Sequence, residues 1–246
     1  MKSMFHVLCL TVSVVFAVPA WAADPSPNPN IVRWSKGTIE YRRMSTGAVT
    51  GSEEWQITVH PDGSRTLNTT NRLEGTQRTV VMRVAPNFRP LDLYAAFWYQ
   101  GAWVGNGLFT IEGNILKANV TTPYGHIDQQ VDIPERFAFI PHPLQSNVWQ
   151  VWPYDKAKGG AQTTTVYDMQ TRLKGPGNVM GPMYDTETTL VGTDDVVTPA
   201  GTFKADHFHN STGTEIYVTG PDAVMVRFVW AASDAEYVLT SLTTGR

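Results

Sequence analysis

The chain holds a single cysteine, Cys9, inside the apolar stretch from Val7 to Val18. Beyond residue 22 there is none, which excludes disulfides, thiolate nucleophiles, iron–sulfur clusters and cysteine-ligated zinc from that part. Charge is scarce too: 17% of residues are charged, against about a quarter in an ordinary globular domain. Lys and Arg number 19 and Asp and Glu 22, for a net charge of −3. With no basic excess, neither nucleic acid nor an anionic membrane surface is an expected partner. No apolar run reaches the roughly 20 residues of a spanning helix. No stretch keeps an i, i+3, i+4 apolar pattern over three turns, so a βαβ fold is not expected. Internal repeats, a Gly-x-Ser-x-Gly elbow and a His-Glu-x-x-His pair are all missing. Gly159-Gly160 lacks the Lys-Ser/Thr of a phosphate loop.

The amino terminus has the three parts of an export signal. Lys2 supplies the positive region, Val7 to Val18 the apolar region, and Ala20-Trp21-Ala22 the small-x-small cleavage site. Residues 1–22 are therefore expected to be a signal peptide, with the mature protein periplasmic or secreted. Residues 23–33, rich in proline, read as a flexible leader. Residues 34–246 read as a single β domain.

From Trp34 onward the pattern is alternation. In Glu54-Trp55-Gln56-Ile57-Thr58-Val59, the residues Trp55, Ile57 and Val59 share one face and polar groups the other. His60-Pro61-Asp62-Gly63 is a hairpin turn, after which 64–71 returns as a second strand. Further strands are predicted at 37–44, 77–84, 91–100, 107–111, 115–121, 124–133, 161–170, 185–193, 203–210, 214–219, 223–230 and 236–242. The spacing of about ten residues is that of an antiparallel meander. The expected fold is all-β, a single antiparallel curved sheet or incomplete β-barrel. Two segments break the rhythm. Pro134 to Gly160 mixes Phe137, Phe139, Trp149, Trp152 and Tyr154 with prolines, and Leu173 to Tyr184 carries Gly-Pro-Gly. The first is expected to lie as a long aromatic, Pro-rich loop over one mouth of the sheet.

Two stretches carry a family resemblance. One is Gly47 with Gly51-Ser52-Glu53-Glu54-Trp55; the other is Val196 to Ala205, Ile216 to Phe228 and Tyr237 to Leu242. Together they resemble exported bacterial β-rich proteins of unknown function, themselves similar to the LolA-like lipoprotein-localisation half-barrels. That resemblance implies a concave face able to hold acyl chains. It supplies no catalytic residue.

Chemistry-bearing residues are few. Asp206-His207-Phe208-His209 places two imidazoles on one side of a strand, with Glu215 following, and partly resembles the first cupin motif. No histidine follows His209, so the second cupin motif is missing, and no metal is expected. Tyr124, His126, Asp128, Gln130 and Asp132 share one face of a strand, either an outer surface or a polar cluster inside a barrel. His142 sits between Pro141 and Pro143 in an extended loop. The candidate acid–base residues are therefore His126, His142, His207 and His209. Candidate ligand-binding residues are Tyr94, Trp98, Trp103, Tyr124, Trp149 and Trp152, as either core packing or the wall of an aromatic cavity.

Three functions follow from this reading. The leading one is an exported carrier of a small hydrophobic or aromatic molecule, without cofactor, nucleic-acid partner or transmembrane segment, and with a possible envelope association. The alternative is a cofactor-free lyase, isomerase or hydrolase using histidine and carboxylate acid–base chemistry in the same cavity. A structural envelope factor acting through an exposed sheet edge is the third.

Overall fold

A computed structural model describes residues 29–169 and 180–246. The expected signal peptide at 1–22, with Cys9, lies outside the described residues. So do the leader up to residue 28 and the Gly-Pro-Gly at 175–177. The strands are Arg33–Arg43 (β1), Val49–Val59 (β2), Arg65–Leu73 (β3), Thr76–Val84 (β4), Pro90–Tyr99 (β5), Ala102–Glu112 (β6), Ile115–Thr122 (β7) and Gly125–Asp132 (β8). They continue with Phe137–Ile140 (β9), Gln162–Asp168 (β10), Met183–Thr198 (β11), Gly201–Asn210 (β12), Thr214–Thr219 (β13), Val224–Trp230 (β14) and Ala235–Gly245 (β15). A single turn of α-helix, Leu144–Asn147 (α1), runs into a 3-10 turn at Val148–Val151.

All these strands belong to one curved, unclosed sheet in the order β8-β7-β6-β5-β4-β3-β2-β1-β15-β14-β13-β12-β11-β10-β9. Every neighbouring pair is antiparallel except β9 with β10, which is parallel. Period-two alternation sets the faces. Along β2, Glu53, Trp55, Ile57 and Val59 are buried while Ser52, Glu54 and Gln56 lie towards solvent. The Trp55 indole lies close against β1 because residue 37 is glycine. A Cβ there would come within 2.3 Å of the Ser241 carbonyl and 2.7 Å of the indole.

The long interrupted segment fills the concave side. After β8 the chain crosses to the opposite end of the sheet, where β9 pairs with β10. Phe139 of β9 meets Phe109 of β6, with ring centroids 6.1 Å apart, so the far parts of the sheet approach through side chains. A one-turn helix has no stability of its own; polar clamps hold this one. Glu53 accepts the N–H groups of Leu144 and Gln145, which an isolated first turn leaves unpaired. Gln145 accepts from Met225 N at 2.9 Å and donates to Ala223 O at 3.0 Å. Gln150 accepts from Asn210 Nδ2 at 3.1 Å.

One end of the sheet is closed by charge. Asp222, in the turn before β14, accepts from Arg33 Nε and Nη2 at 2.9 and 2.7 Å and from Arg65 Nε at 2.8 Å. Arg65 also donates to the carbonyls of Gly63, Pro86 and Pro221, and its guanidinium lies 4.1 Å from the Phe88 ring centroid. Arg33 and Arg65 begin β1 and β3, so this cluster marks one end of the strands.

Candidate functional site

The other end of β1 and β3 borders a cavity of about 520 Å³. Its sheet wall comes from Tyr41, Asn71, Leu73 and Arg78, and from Phe228, Trp230 and Tyr237 on β14 and β15. The segment between β8 and β10 that fills the concave side, here called the plug, contributes Ile140, His142 and Leu144, and Asp168 and Tyr184 lie at the rim. A volume of this size suits one small molecule, and an apolar wall with a few convergent polar groups is the usual make-up of a ligand site.

Behind Tyr41 and Asn71 of the lining runs a hydrogen-bond relay of defined direction. Glu53 is buried, and its carboxylate takes four donors: Thr69 Oγ1 at 2.7 Å, Tyr41 Oη at 2.7 Å, Gln145 N at 3.0 Å and Leu144 N. Burial nevertheless pushes its carboxyl above the usual carboxylate range. Burial and the Glu53 charge push the Tyr41 hydroxyl well above the ordinary phenol range, so it stays protonated and donates. Tyr237 packs edge-on against Tyr41, with centroids 4.6 Å apart. Across β3 and β4, Asn71 stands opposite Arg78 in register. The Arg78 guanidinium lies 5.5 Å from the Phe97 ring centroid, and burial lowers its pKa.

At the rim, His142 Nε2 lies 2.9 Å from Asp168 Oδ1, a close contact whose alignment is not that of a linear hydrogen bond. Tyr184 Oη donates to Asp168 Oδ2 at 3.2 Å, and burial beside that carboxylate pushes the Tyr184 phenol up to about 12. His142 has φ of +80°, a costly value for a residue preceding proline. The Asn147 side chain holds it there, accepting His142 N at 2.8 Å. Backbone held in a sparsely populated region clusters at functional sites.

The other candidate histidines lie elsewhere. His126 is on the exposed β8, 3.1 Å from Asp128, so the polar face of that strand is an outer surface. His207 and His209 do converge, but on Glu215, at 2.8 and 2.7 Å, away from the cavity lining. The other His207 nitrogen is 2.9 Å from Asp194, and its ring stacks on Tyr217. These ring nitrogens are thus directed at carboxylates, and no group of three His, Cys, Asp or Glu among the described residues is arranged to hold a metal ion.

The expected aromatic wall is also differently composed. Tyr94, Trp103 and Tyr124 are exposed, and none of them lines the cavity. Trp98 borders a separate hollow with Gly51, Arg72 and Glu74. Trp149 is buried and donates to Asp222 O at 3.1 Å, and Trp152 donates to Phe137 O at 3.2 Å, so both fasten the plug. The rings that do line the cavity are Tyr41, Tyr184, Phe228, Trp230 and Tyr237. Sequence reasoning missed Glu53, Asn71 and Arg78 as well. Their signal was present: each continues the parity of a buried apolar stripe through a polar residue, as Glu53 does before Trp55, Ile57 and Val59.

No family model matches the sequence, and neither does any curated protein. Among solved structures the chain is similar to a DUF1089 family protein from Pseudomonas aeruginosa, at 8% identity and a TM-score of 0.44. That similarity covers 71% of this chain and 87% of the other. At that level it assigns neither family nor function. No helix among the described residues is long and apolar enough to cross a membrane.

Proposed function

We propose that the protein is an exported binding or carrier protein that holds a small hydrophobic or aromatic molecule between the concave sheet and its plug. The observation that carries this reading is the cavity of about 520 Å³ walled by five aromatic rings, Leu73 and Ile140. The LolA-like resemblance points the same way, and the export signal read at residues 1–22 assigns the work to the periplasm or exterior. Mild purification from periplasm, native mass spectrometry and solvent extraction test it: a bound apolar adduct is expected, and bare polypeptide from every preparation overturns it. Trp230 stands half in solvent at the rim. Removing its ring in Trp230→Ala is expected to weaken retention about tenfold, because apolar ligand surface that the indole covers is returned to water. Trp98→Ala and Trp103→Ala are expected to leave retention unchanged, and equal weakening in all three variants overturns this placement of the ligand.

The contact of His142 with Asp168 at the rim favours a second reading, a cofactor-free enzyme. An imidazole oriented by a carboxylate can move a proton to or from a bound molecule. Under that reading the extracted ligand, returned to wild-type protein, is recovered chemically altered, and His142→Gln abolishes the conversion. Recovery unaltered from both proteins supports the carrier.

A further inference from the structure

Among the described residues, one side-chain polar atom of the cavity lining, Asn71 Oδ1, has neither a hydrogen-bond nor an ion-pair partner. Asn71 is 1% exposed, and among the described residues its Oδ1 accepts no hydrogen bond. The amide cannot be turned round to cure this. Tyr41 has one hydroxyl proton, which goes to Glu53, so Tyr41 Oη must accept from Asn71, and Asn71 presents its NH₂ at 3.1 Å. Its oxygen is then left at the cavity wall, where a buried acceptor without a donor costs free energy. Directly opposite on β4 is Arg78, whose guanidinium carries donors only.

We propose that the ligand of this cavity is an amphiphilic acid whose head group carries an O–H or N–H donor beside its acidic oxygens. A hydroxy acid or an N-acylated amino acid with an apolar or aromatic body fits this description. The donor reaches Asn71 Oδ1, the acidic oxygens accept from Arg78, and the body lies among Tyr237, Phe228 and Trp230. This identification rests on the carrier reading and deepens it.

Calorimetric titration of the whole protein with three probes tests the inference. Phenyllactate carries both groups, hydrocinnamate lacks the hydroxyl, and phenylpropanediol keeps a hydroxyl but lacks the acid. Phenyllactate is expected to bind about tenfold more tightly than either, the size of one buried polar group left unpaired. In Asn71→Leu the preference over hydrocinnamate disappears, while thermal stability changes little, because the unsatisfied acceptor goes together with the bond that Asn71 donates to Tyr41 Oη. In Arg78→Gln the preference over phenylpropanediol disappears. Equal binding of phenyllactate and hydrocinnamate by the wild type overturns the Asn71 half, and equal binding of phenyllactate and phenylpropanediol overturns the Arg78 half. Both results leave the carrier reading standing. Binding of none of the three overturns the head-group inference, and the carrier reading then stands or falls on the native adduct. The wild-type comparison needs no variant to fold.

Discussion

Glu53→Ala is expected to be among the most destabilising single substitutions in the chain, at about 4 kcal/mol or more. It removes one side chain and orphans four donors: the hydroxyls of Tyr41 and Thr69 and the backbone N–H groups of Leu144 and Gln145. The hydroxyls can turn to other acceptors. The two N–H groups cannot, since they are fixed by the turn they begin. At the usual scaling for a protein of this size the destabilisation corresponds to a fall in Tm of about 10 °C. Glu53→Gln is the informative control. Its carbonyl oxygen still takes two donors, while its NH₂ faces one hydroxyl, which can reverse, and one N–H, which cannot. Its cost is therefore about 1–3 kcal/mol, for a single opposed donor. Thermal and urea unfolding of both variants check the order. A Glu53→Ala protein as stable as wild type would show that the plug is held by its apolar residues, and that the carboxylate only fills space.

Glu53 also shows what could be read in the sequence. Nearly all the strands were legible, because Trp55, Ile57 and Val59, or Val80, Met82 and Val84, alternate with polar neighbours as a half-buried sheet requires. β9 was not. It is only four residues long, three of them buried, and it lies between Pro134 and Pro141, so no alternation is visible and the prolines read as loop. β11 outran its expected end because the irregularity between Leu190 and Gly192 shifts the parity that the alternation argument follows.

The site was harder for a related reason. A polar residue in an amphipathic strand is ordinarily assigned to the solvent face, and Asn71 and Arg78 look like any other surface groups. Their inward placement shows only if the buried parity of Leu67 and Thr69, or of Val80 and Met82, is extended one step towards the strand end. Aromatics misled in the opposite direction. Tyr94, Trp98 and Trp103 cluster in sequence, but a cluster in sequence spreads over both faces of a sheet and across a hairpin. The cavity rings come instead from positions far apart in the chain: Tyr41, Phe228, Trp230 and Tyr237, gathered because β1, β15 and β14 are neighbours, and Tyr184 from β11. That adjacency follows from the pairing of β1 with β15, which no local pattern announces.

Asp222→Ala is expected to separate stability from binding. Asp222 is nearly buried, and Arg65, with its side chain 8% exposed, depends on it for a counter-charge. Removing the carboxylate leaves that guanidinium enclosed and uncompensated, at a cost of about 3–5 kcal/mol. Arg33, with its side chain 37% exposed, can turn to water and adds little. Asp222→Asn keeps the shape and tests the charge alone. Burial pushes the Asp222 carboxyl up, but the hydrogen bonds and charges of Arg33 and Arg65 outweigh it and hold the carboxyl below the usual aspartate range. A depressed folded pKa means that the stabilisation is complete above the unfolded value and is lost as the pH falls through the folded one. Wild type is therefore expected to exceed Asp222→Asn in stability at neutral pH, and the gap to close on acidification. Glu53, whose raised carboxyl acts in the opposite sense, is common to both proteins and cancels in the difference. Because the Asp222 cluster and the cavity sit at opposite ends of β1 and β3, affinity measured well below the variant's Tm should equal that of wild type. A gap that persists unchanged at low pH would show that shape, and not charge, holds this end. A fall in affinity matching the fall in stability would show that the two ends of the sheet are coupled through the plug, by way of Trp149 and its bond to Asp222 O.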